Sequence, residues 1–268
     1  MSTYDKFKGI FKGISLEVDD LYLLESFQIG YFPGLIPEPE FAAVLRAYPS
    51  IRQFLVKKCP SISEFFEKVI SENPPKANER KLTAYIDKVV WTIADLIVYN
   101  KCPEVYDKLE FHGWDFREIT LMVTLDDKVV IDGGAGTGRV TLEAARSARR
   151  VYGVEPVTRL RQFIRDKASE AYLKNVFVVD GFLDEMPLPD NCADVLITSH
   201  ALGWKLENEL WEFERVVKRG GFIIHCPGTA NEDGDEYVHY RLISPDWQYE
   251  FSGCRESDGW KRKYWKQL

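Results

Sequence analysis

Apolar residues in positions 1 to 112 recur at helical spacing, with no strand alternation of any length. The spacing predicts helices over Leu16–Ile29, Pro39–Tyr48, Ser61–Ser71 and Asn78–Asn100. A turn at Gly30, Pro33, Gly34 and Pro37 separates the first two, and the second carries proline in its first turn and Pro49 at its end. The third helix follows Pro60, sets Ile62, Phe65, Phe66, Val69 and Ile70 on one side, and stops at Asn73-Pro74-Pro75, the best internal boundary of this region. The fourth has a wide apolar stripe (Leu82, Tyr85, Ile86, Val89, Val90, Ile93, Leu96, Ile97) and is expected to cross the domain as a core helix.

From Trp114 the pattern changes. Short β-branched runs now alternate with helical segments, which predicts a doubly wound α/β fold with helices on both faces of a parallel sheet. The expected strands are Val129–Ile131, Val151–Val154, Val176–Val179, Ala193–Thr198 and Phe222–Cys226, and the expected helices include Thr137–Arg149, Arg159–Tyr172 and Asp235–Ile243. Another helix carries Leu210, Trp211, Phe213, Val216 and Val217, and Lys218-Arg219-Gly220-Gly221 reads as its stop. Near the end Trp247, Tyr249 and Phe251 alternate, Gly253 breaks the run, and Trp260 to Trp265 alternates again, so two terminal strands joined by a loop are expected. The chain is thus divided into a helical region, 1–112, and an α/β domain, 113–268.

Composition narrows this further. A chain of 268 residues that is 45% hydrophobic can fill one large core, or a catalytic domain and a smaller one. There is no apolar run of about 18 residues, and the start, MSTYDKFKGIFKGI, lacks the apolar centre of a signal peptide, so a cytoplasmic location is expected. Cys59, Cys102, Cys192, Cys226 and Cys254 are odd in number and widely spread, which suits reduced thiols and not a structural zinc site. A net charge of −7 opposes a polyanionic partner such as RNA or DNA. Lys57-Lys58 and Lys261-Arg262-Lys263 are read as solvated surface.

The chemistry concentrates in VVIDGGAGTGRVT, residues 129 to 141. A buried strand ends at Asp132, a turn carries Gly133, Gly134, Gly136 and Gly138, and a helix follows, which leaves bare backbone for a ligand. A dinucleotide fold wants G-x-G-x-x-G, and Arg139 stands where the third glycine would be, which counts against NAD. The pattern D-x-G-x-G-x-G instead resembles motif I of the class I S-adenosylmethionine-dependent methyltransferases. Glu155, followed by Pro156, closes the second strand 21 residues beyond Gly134, where an acid accepts from both ribose hydroxyls. The segment from Phe177 to Trp204 resembles the next two motifs of that family. Its register stays open: either Asp180 accepts from the adenine amino group with Gly181 beside it, or Gly181 offers backbone and Phe182 packs on the ring with Asp184 exposed.

The resemblance, over roughly residues 114–268, implies a Rossmann-like, seven-stranded, mostly parallel sheet with a reversed edge strand. It makes S-adenosylmethionine the cofactor and S-adenosylhomocysteine the product. It places Asp132 near the amino acid part of the ligand, gives Asp194 a structural role, and sets Ser199 and His200 beside the methionine part and the acceptor. His200 is read either as a general base or as a hydrogen-bonded lining residue. The aromatics of the helical region are mainly packing, and a sharper reading has Tyr31 and Phe32 lining an acceptor pocket. The expected function is methyl transfer by in-line displacement to a small molecule, the alternatives being a protein or RNA acceptor or a non-catalytic S-adenosylmethionine-binding protein.

Overall fold

The computed structural model describes residues 2–75, 81–226, 235–256 and 259–268. Contacts divide the chain into two compact units, Met1–Tyr106 and Asp107–Leu268. The first is helical: α1 (Thr3–Ile10), α2 (Ser26–Gly30), α3 (Glu38–Ala47), α4 (Pro49–Lys58), α5 (Ser63–Glu72), α6 (Leu82–Thr92), α7 (Ala94–Lys101) and α8 (Pro103–Tyr106). Its core includes Phe32, Phe41 and Phe66, with Phe32 edge-on to Phe41 at 5.5 Å. Both α5 and α6 pack on α3, so Pro74-Pro75 separates two helices of one core.

Two predicted helices are interrupted here. The stretch expected as Leu16–Ile29 is a 3₁₀ turn, Val18–Leu23, then extended chain at Leu24 and Glu25, then α2. Two capping boxes cause it. The Glu17 N–H donates to Asp20 Oδ2 (2.7 Å) and the Glu25 N–H to Gln28 Oε1 (3.0 Å), so a second helix start lies inside the run. The expected helix Asn78–Asn100 begins outside the described residues and breaks at Ile93 (φ −115°, ψ 28°) into α6 and α7. Val89 to Ala94 and Leu96 to Val98 are all buried, and a straight helix apolar on every side cannot bury them against one neighbour.

The second unit begins with α9 (Arg117–Thr120) and then alternates: β1 (Val129–Gly133), α10 (Arg139–Ala144), β2 (Arg150–Val154), α11 (Thr158–Glu170), β3 (Val176–Val179), β4 (Ala193–Thr198), α12 (Leu206–Val216), β5 (Val217–His225), α13 (Asp235–Leu242), β6 (Glu250–Glu256) and β7 (Gly259–Gln267). The described strands form a seven-stranded sheet in the order β3-β2-β1-β4-β5-β7-β6, with β7 antiparallel to both its neighbours and the first five strands parallel. Ile131 and Leu196 pack on one face and Val130, Val195 and Ile197 on the other, which is why these strands read as continuous apolar runs. The order reverses at β1 and β4, and ligands of such sheets bind at that point, outside the carboxyl ends of the strands.

Three boundaries differ from the sequence reading. The helix expected as Thr137–Arg149 starts only after Gly138 and ends at Ala144, where Asn175 Nδ2 donates to the Ala145 (2.8 Å) and Ala148 (2.7 Å) carbonyls in place of further helix. Lys218 to Gly221 is no loop after a helix. The chain passes from Val216 straight into β5, and these four residues bulge out between the pairings Ala193↔Val217 and Val195↔Phe222. Gly253 lies inside β6 and does not break it, whereas Trp247 and Tyr249 precede the strand as buried core residues. Asp194 ties the start of β4 to both neighbours, accepting from the Val129 N–H (2.8 Å) and from Lys218 Nζ (2.9 Å). No described helix is long and apolar enough to cross a membrane.

Candidate functional site

The glycine turn after β1 is shaped by close approach. Gly134 has φ +69°, and a Cβ there would lie 2.5 Å from the Ala201 Cβ. At Gly133 a Cβ would lie 2.9 Å from Leu183 Cδ2 and 3.3 Å from Thr198 Cγ2. The turn is thus packed against the loops that follow β3 and β4. Gly138, at φ +83°, caps α10 and abuts Ile164 of α11, while Gly136 aims its N–H at Glu155.

Glu155 is the centre of the arrangement. Its Oε2 accepts from the Gly136 N–H (2.8 Å) and its Oε1 from the Val157 N–H (2.9 Å), which fixes the carboxylate and leaves each oxygen a further lone pair. Burial pushes its pKa up to about 7, against those backbone bonds and the nearby Arg161. Asp132, at the end of β1, is likewise buried; Thr141 Oγ1 donates to it at 2.5 Å, and burial raises its pKa to about 6. Two desolvated carboxyl groups therefore stand at the ends of adjacent strands, close enough to feel each other's charge, and a ligand bearing hydroxyl donors and positive charge would relieve both.

Arg161 of α11 organises the neighbouring wall. Its Nη1 donates to the Glu155 carbonyl (2.9 Å), the Pro156 carbonyl (2.6 Å) and Asp180 Oδ1 (3.0 Å). Asp180 keeps 68% of its side chain exposed, so its other lone pairs face solvent. Gly181 is enclosed, since a Cβ would meet Pro187 Cδ at 2.6 Å and Val154 Cγ1 at 3.1 Å. Phe182, half-buried, pairs with Glu185 in an isolated bridge. Of the two registers left open, the one with Gly181 and Phe182 at the ring also had Asp184 exposed; its side chain is only 17% exposed and bonds Lys205 Nζ at 2.7 Å, because the loop after β4 reaches across to it. Beyond β4, Ser199 Oγ lies 3.1 Å from Nδ1 of His200, a residue held at φ +55°.

The structure so gathers Asp132 to Gly138, Glu155, Pro156, Asp180 to Phe182 and Ser199 to Ala201 at the carboxyl ends of four adjacent strands. In the helical unit Phe32 is fully buried in the core, edge-on to Phe41, while Tyr31 is 37% exposed and stacks edge-on to Phe27.

Comparison with known proteins matches this unit. Residues 131–225 fit a family model described as a methyltransferase domain. The chain is 25% identical over 142 residues to an uncharacterized methyltransferase of Anoxybacillus flavithermus, covering 48% of this chain and 65% of that one. It is 35% identical over 114 residues to one of Bacillus velezensis, covering 42% and 50%. A crystal structure of a SAM-dependent methyltransferase from Aquifex aeolicus shares the fold with a TM-score of 0.51 at 17% identity, over 61% of this chain and 96% of that one. The second unit is a class I S-adenosylmethionine-dependent methyltransferase domain. Its cofactor is S-adenosylmethionine, and the present chain spans only about half to two thirds of the length of these curated relatives.

The cleft fits that cofactor on its own chemistry. A cationic sulfonium ligand with a ribose diol suits the two buried carboxyls, and the Cβ-free turn gives it a surface to lie on. The sequence reading missed the residues that hold the methyltransferase domain's two lining loops, which project from α12. Glu209 accepts from the Gly203 (2.7 Å) and Lys205 (2.8 Å) N–H groups. Glu212 accepts from the Met186 N–H (2.6 Å), and Arg215 donates to the Met186 (3.0 Å) and Leu188 (2.8 Å) carbonyls. Acids and a base at i, i+3 and i+6 share one helix face, a signal legible in the sequence only as ordinary surface charge. Glu209 is buried, which raises its pKa. Glu209→Gln would turn an amide N–H toward a backbone N–H, so thermal unfolding should show a loss of about 1–3 kcal/mol, and calorimetry roughly 10-fold weaker S-adenosylhomocysteine binding.

Proposed function

We propose that this protein transfers the methyl group of S-adenosylmethionine to a small-molecule acceptor by in-line displacement. The observation that carries the reading is Glu155, a carboxylate fixed through both oxygens at the end of β2 and presented beside the Gly134–Gly136 turn. The cofactor supplies a methyl group on a sulfonium, so the leaving group is already activated. What remains for the protein is to orient, to exclude water and to manage the acceptor's proton. Glu155 would hold the ribose, Asp180, Gly181 and Phe182 would line the adenine, and the backbone at Gly133, Gly134 and Ser199 would border the methionine part. The acidic net charge supports a small acceptor over a nucleic acid.

His200 is the side chain proposed to take the acceptor's proton. It directly follows β4, where the chain borders the methionine part in this reading, and Ser199 Oγ lies 3.1 Å from its Nδ1. The neighbouring His225 is unsuited, because it is sealed in the core against Thr198 Oγ1 (2.7 Å) and burial pushes its pKa down to about 3. His200→Asn, which tolerates the left-handed backbone, should lower turnover about 100-fold or more and leave cofactor affinity within about threefold. Unchanged turnover at any pH would remove the base role. The activity itself is tested by calorimetry with S-adenosylmethionine, S-adenosylhomocysteine and NAD, and by labelled methyl transfer into a metabolite extract. Label entering protein or RNA would move the acceptor class, and cofactor binding with no transfer would make this a non-catalytic binding protein.

A further inference from the structure

His225 ends β5 with none of its surface exposed, and its ring packs on those of Phe213 (centroids 5.5 Å apart) and Tyr249 (5.2 Å). Burial keeps the imidazole neutral. Its Nε2 is buried and makes no hydrogen bond among the described residues, so the ring brings a polar atom into this core that a leucine would not. The other nitrogen is engaged. Nδ1 lies 2.7 Å from Oγ1 of Thr198, a residue that is itself fully buried.

That bond decides which side of Thr198 meets the glycine turn. Gly133, Thr198 and His225 stand in a row at the carboxyl ends of β1, β4 and β5, each paired with the next. With Oγ1 held by His225, the Thr198 methyl faces Gly133, its Cγ2 lying 3.3 Å from the place a Cβ of that glycine would take. A staggered threonine cannot turn about χ1 without moving both groups together. Rotation would break the bond to His225 and withdraw the methyl from the turn in one step. We propose that His225 is a positioning residue for methyl transfer, which through the Thr198 hydroxyl holds the Thr198 methyl against Gly133 and so sets the first glycine of the cofactor turn. The assignment rests on the reading in which the Gly133 backbone borders the methionine part. Because the ring stays neutral, the hold is the same on either side of neutral pH.

The test is calorimetry of the full chain with S-adenosylhomocysteine, with thermal unfolding of each variant read beside it. His225→Leu should bind about 10-fold more weakly than the wild type, since a small displacement of a binding group is felt on that scale. In a Thr198→Val background a methyl faces the turn without any partner, so there the same His225→Leu change should alter affinity by about twofold or less. A general loosening of the core would not depend on residue 198 in this way. Thr198→Ser keeps the hydroxyl for His225 and loses the methyl, and it should bind more weakly than Thr198→Val by about threefold or more. Unchanged affinity in a folded His225→Leu protein overturns the proposal, as does an equal loss in both backgrounds. Thr198→Ser binding as tightly as Thr198→Val, or more tightly, also overturns it, and that comparison holds even where His225→Leu fails to fold. Failure of the wild type to bind S-adenosylmethionine or S-adenosylhomocysteine would instead strike the cofactor reading.

Discussion

Glu155→Ala should weaken S-adenosylmethionine and S-adenosylhomocysteine binding on the order of 100-fold, about 3 kcal/mol, as read by calorimetry. Two effects act together. The ribose hydroxyls lose their acceptors, and the Gly136 and Val157 N–H groups lose the carboxylate that aims them. Glu155→Gln should not rescue, since its amide nitrogen must face one of those N–H donors. The wild type also carries a pH signature. With the ligand-free carboxyl at about 7 and the diol bound by the ionised form, affinity should rise as pH climbs from 5.5 to 8, with a proton released on binding near pH 6. Asp132, at about 6, contributes to the lower part of that window, so the Glu155→Gln profile isolates its share. Stability of the ligand-free protein runs the other way. A carboxyl raised from 4.5 to about 7 holds its proton more tightly in the folded state, so its contribution to stability is present below pH 4.5 and lost as pH rises to 7. A flat affinity profile across this range would remove Glu155 from the ligand.

Gly134→Ala should destabilise the protein by roughly 2–4 kcal/mol and abolish measurable cofactor binding. At φ +69° an L-residue already carries strain of about 1–2 kcal/mol, and the new methyl would stand 2.5 Å from the Ala201 Cβ. Ala201 sits on the loop after β4, so relief comes only by moving that loop away from the turn, which opens the cleft. Ala201→Gly removes the clash but not the strain. The double variant should therefore regain part of the stability lost by Gly134→Ala, and equal melting temperatures for single and double variants would contradict the packing account.

The helical unit shows where pattern reading stops. Periodicity found its apolar stripes, yet the helices broke at Glu25 and Ile93, because a capping side chain or a core on two sides outweighs a continuous stripe. Phe32 looked available because it stands in a proline- and glycine-rich bend, and the fold spent it on Phe41. In the second unit the glycine turn, the acid at the end of the second strand and the presence of two last strands were legible from local chemistry, bare backbone and period-2 alternation, whereas the reversal of the edge strand came with the family resemblance.

The sequence by itself determined the strand-turn-helix that opens the cleft, the alternation that builds the parallel sheet, and the class of ligand that its motifs resemble. Only the tertiary structure decided that Asp184 closes on Lys205, that α12 carries the anchors of both lining loops, and that the Arg139 guanidinium packs over the Trp114 ring. The physical reason is range. Turns and strand ends are fixed by neighbours in sequence, whereas burial and the pairing of charges are set by whichever distant segment the packed chain brings alongside.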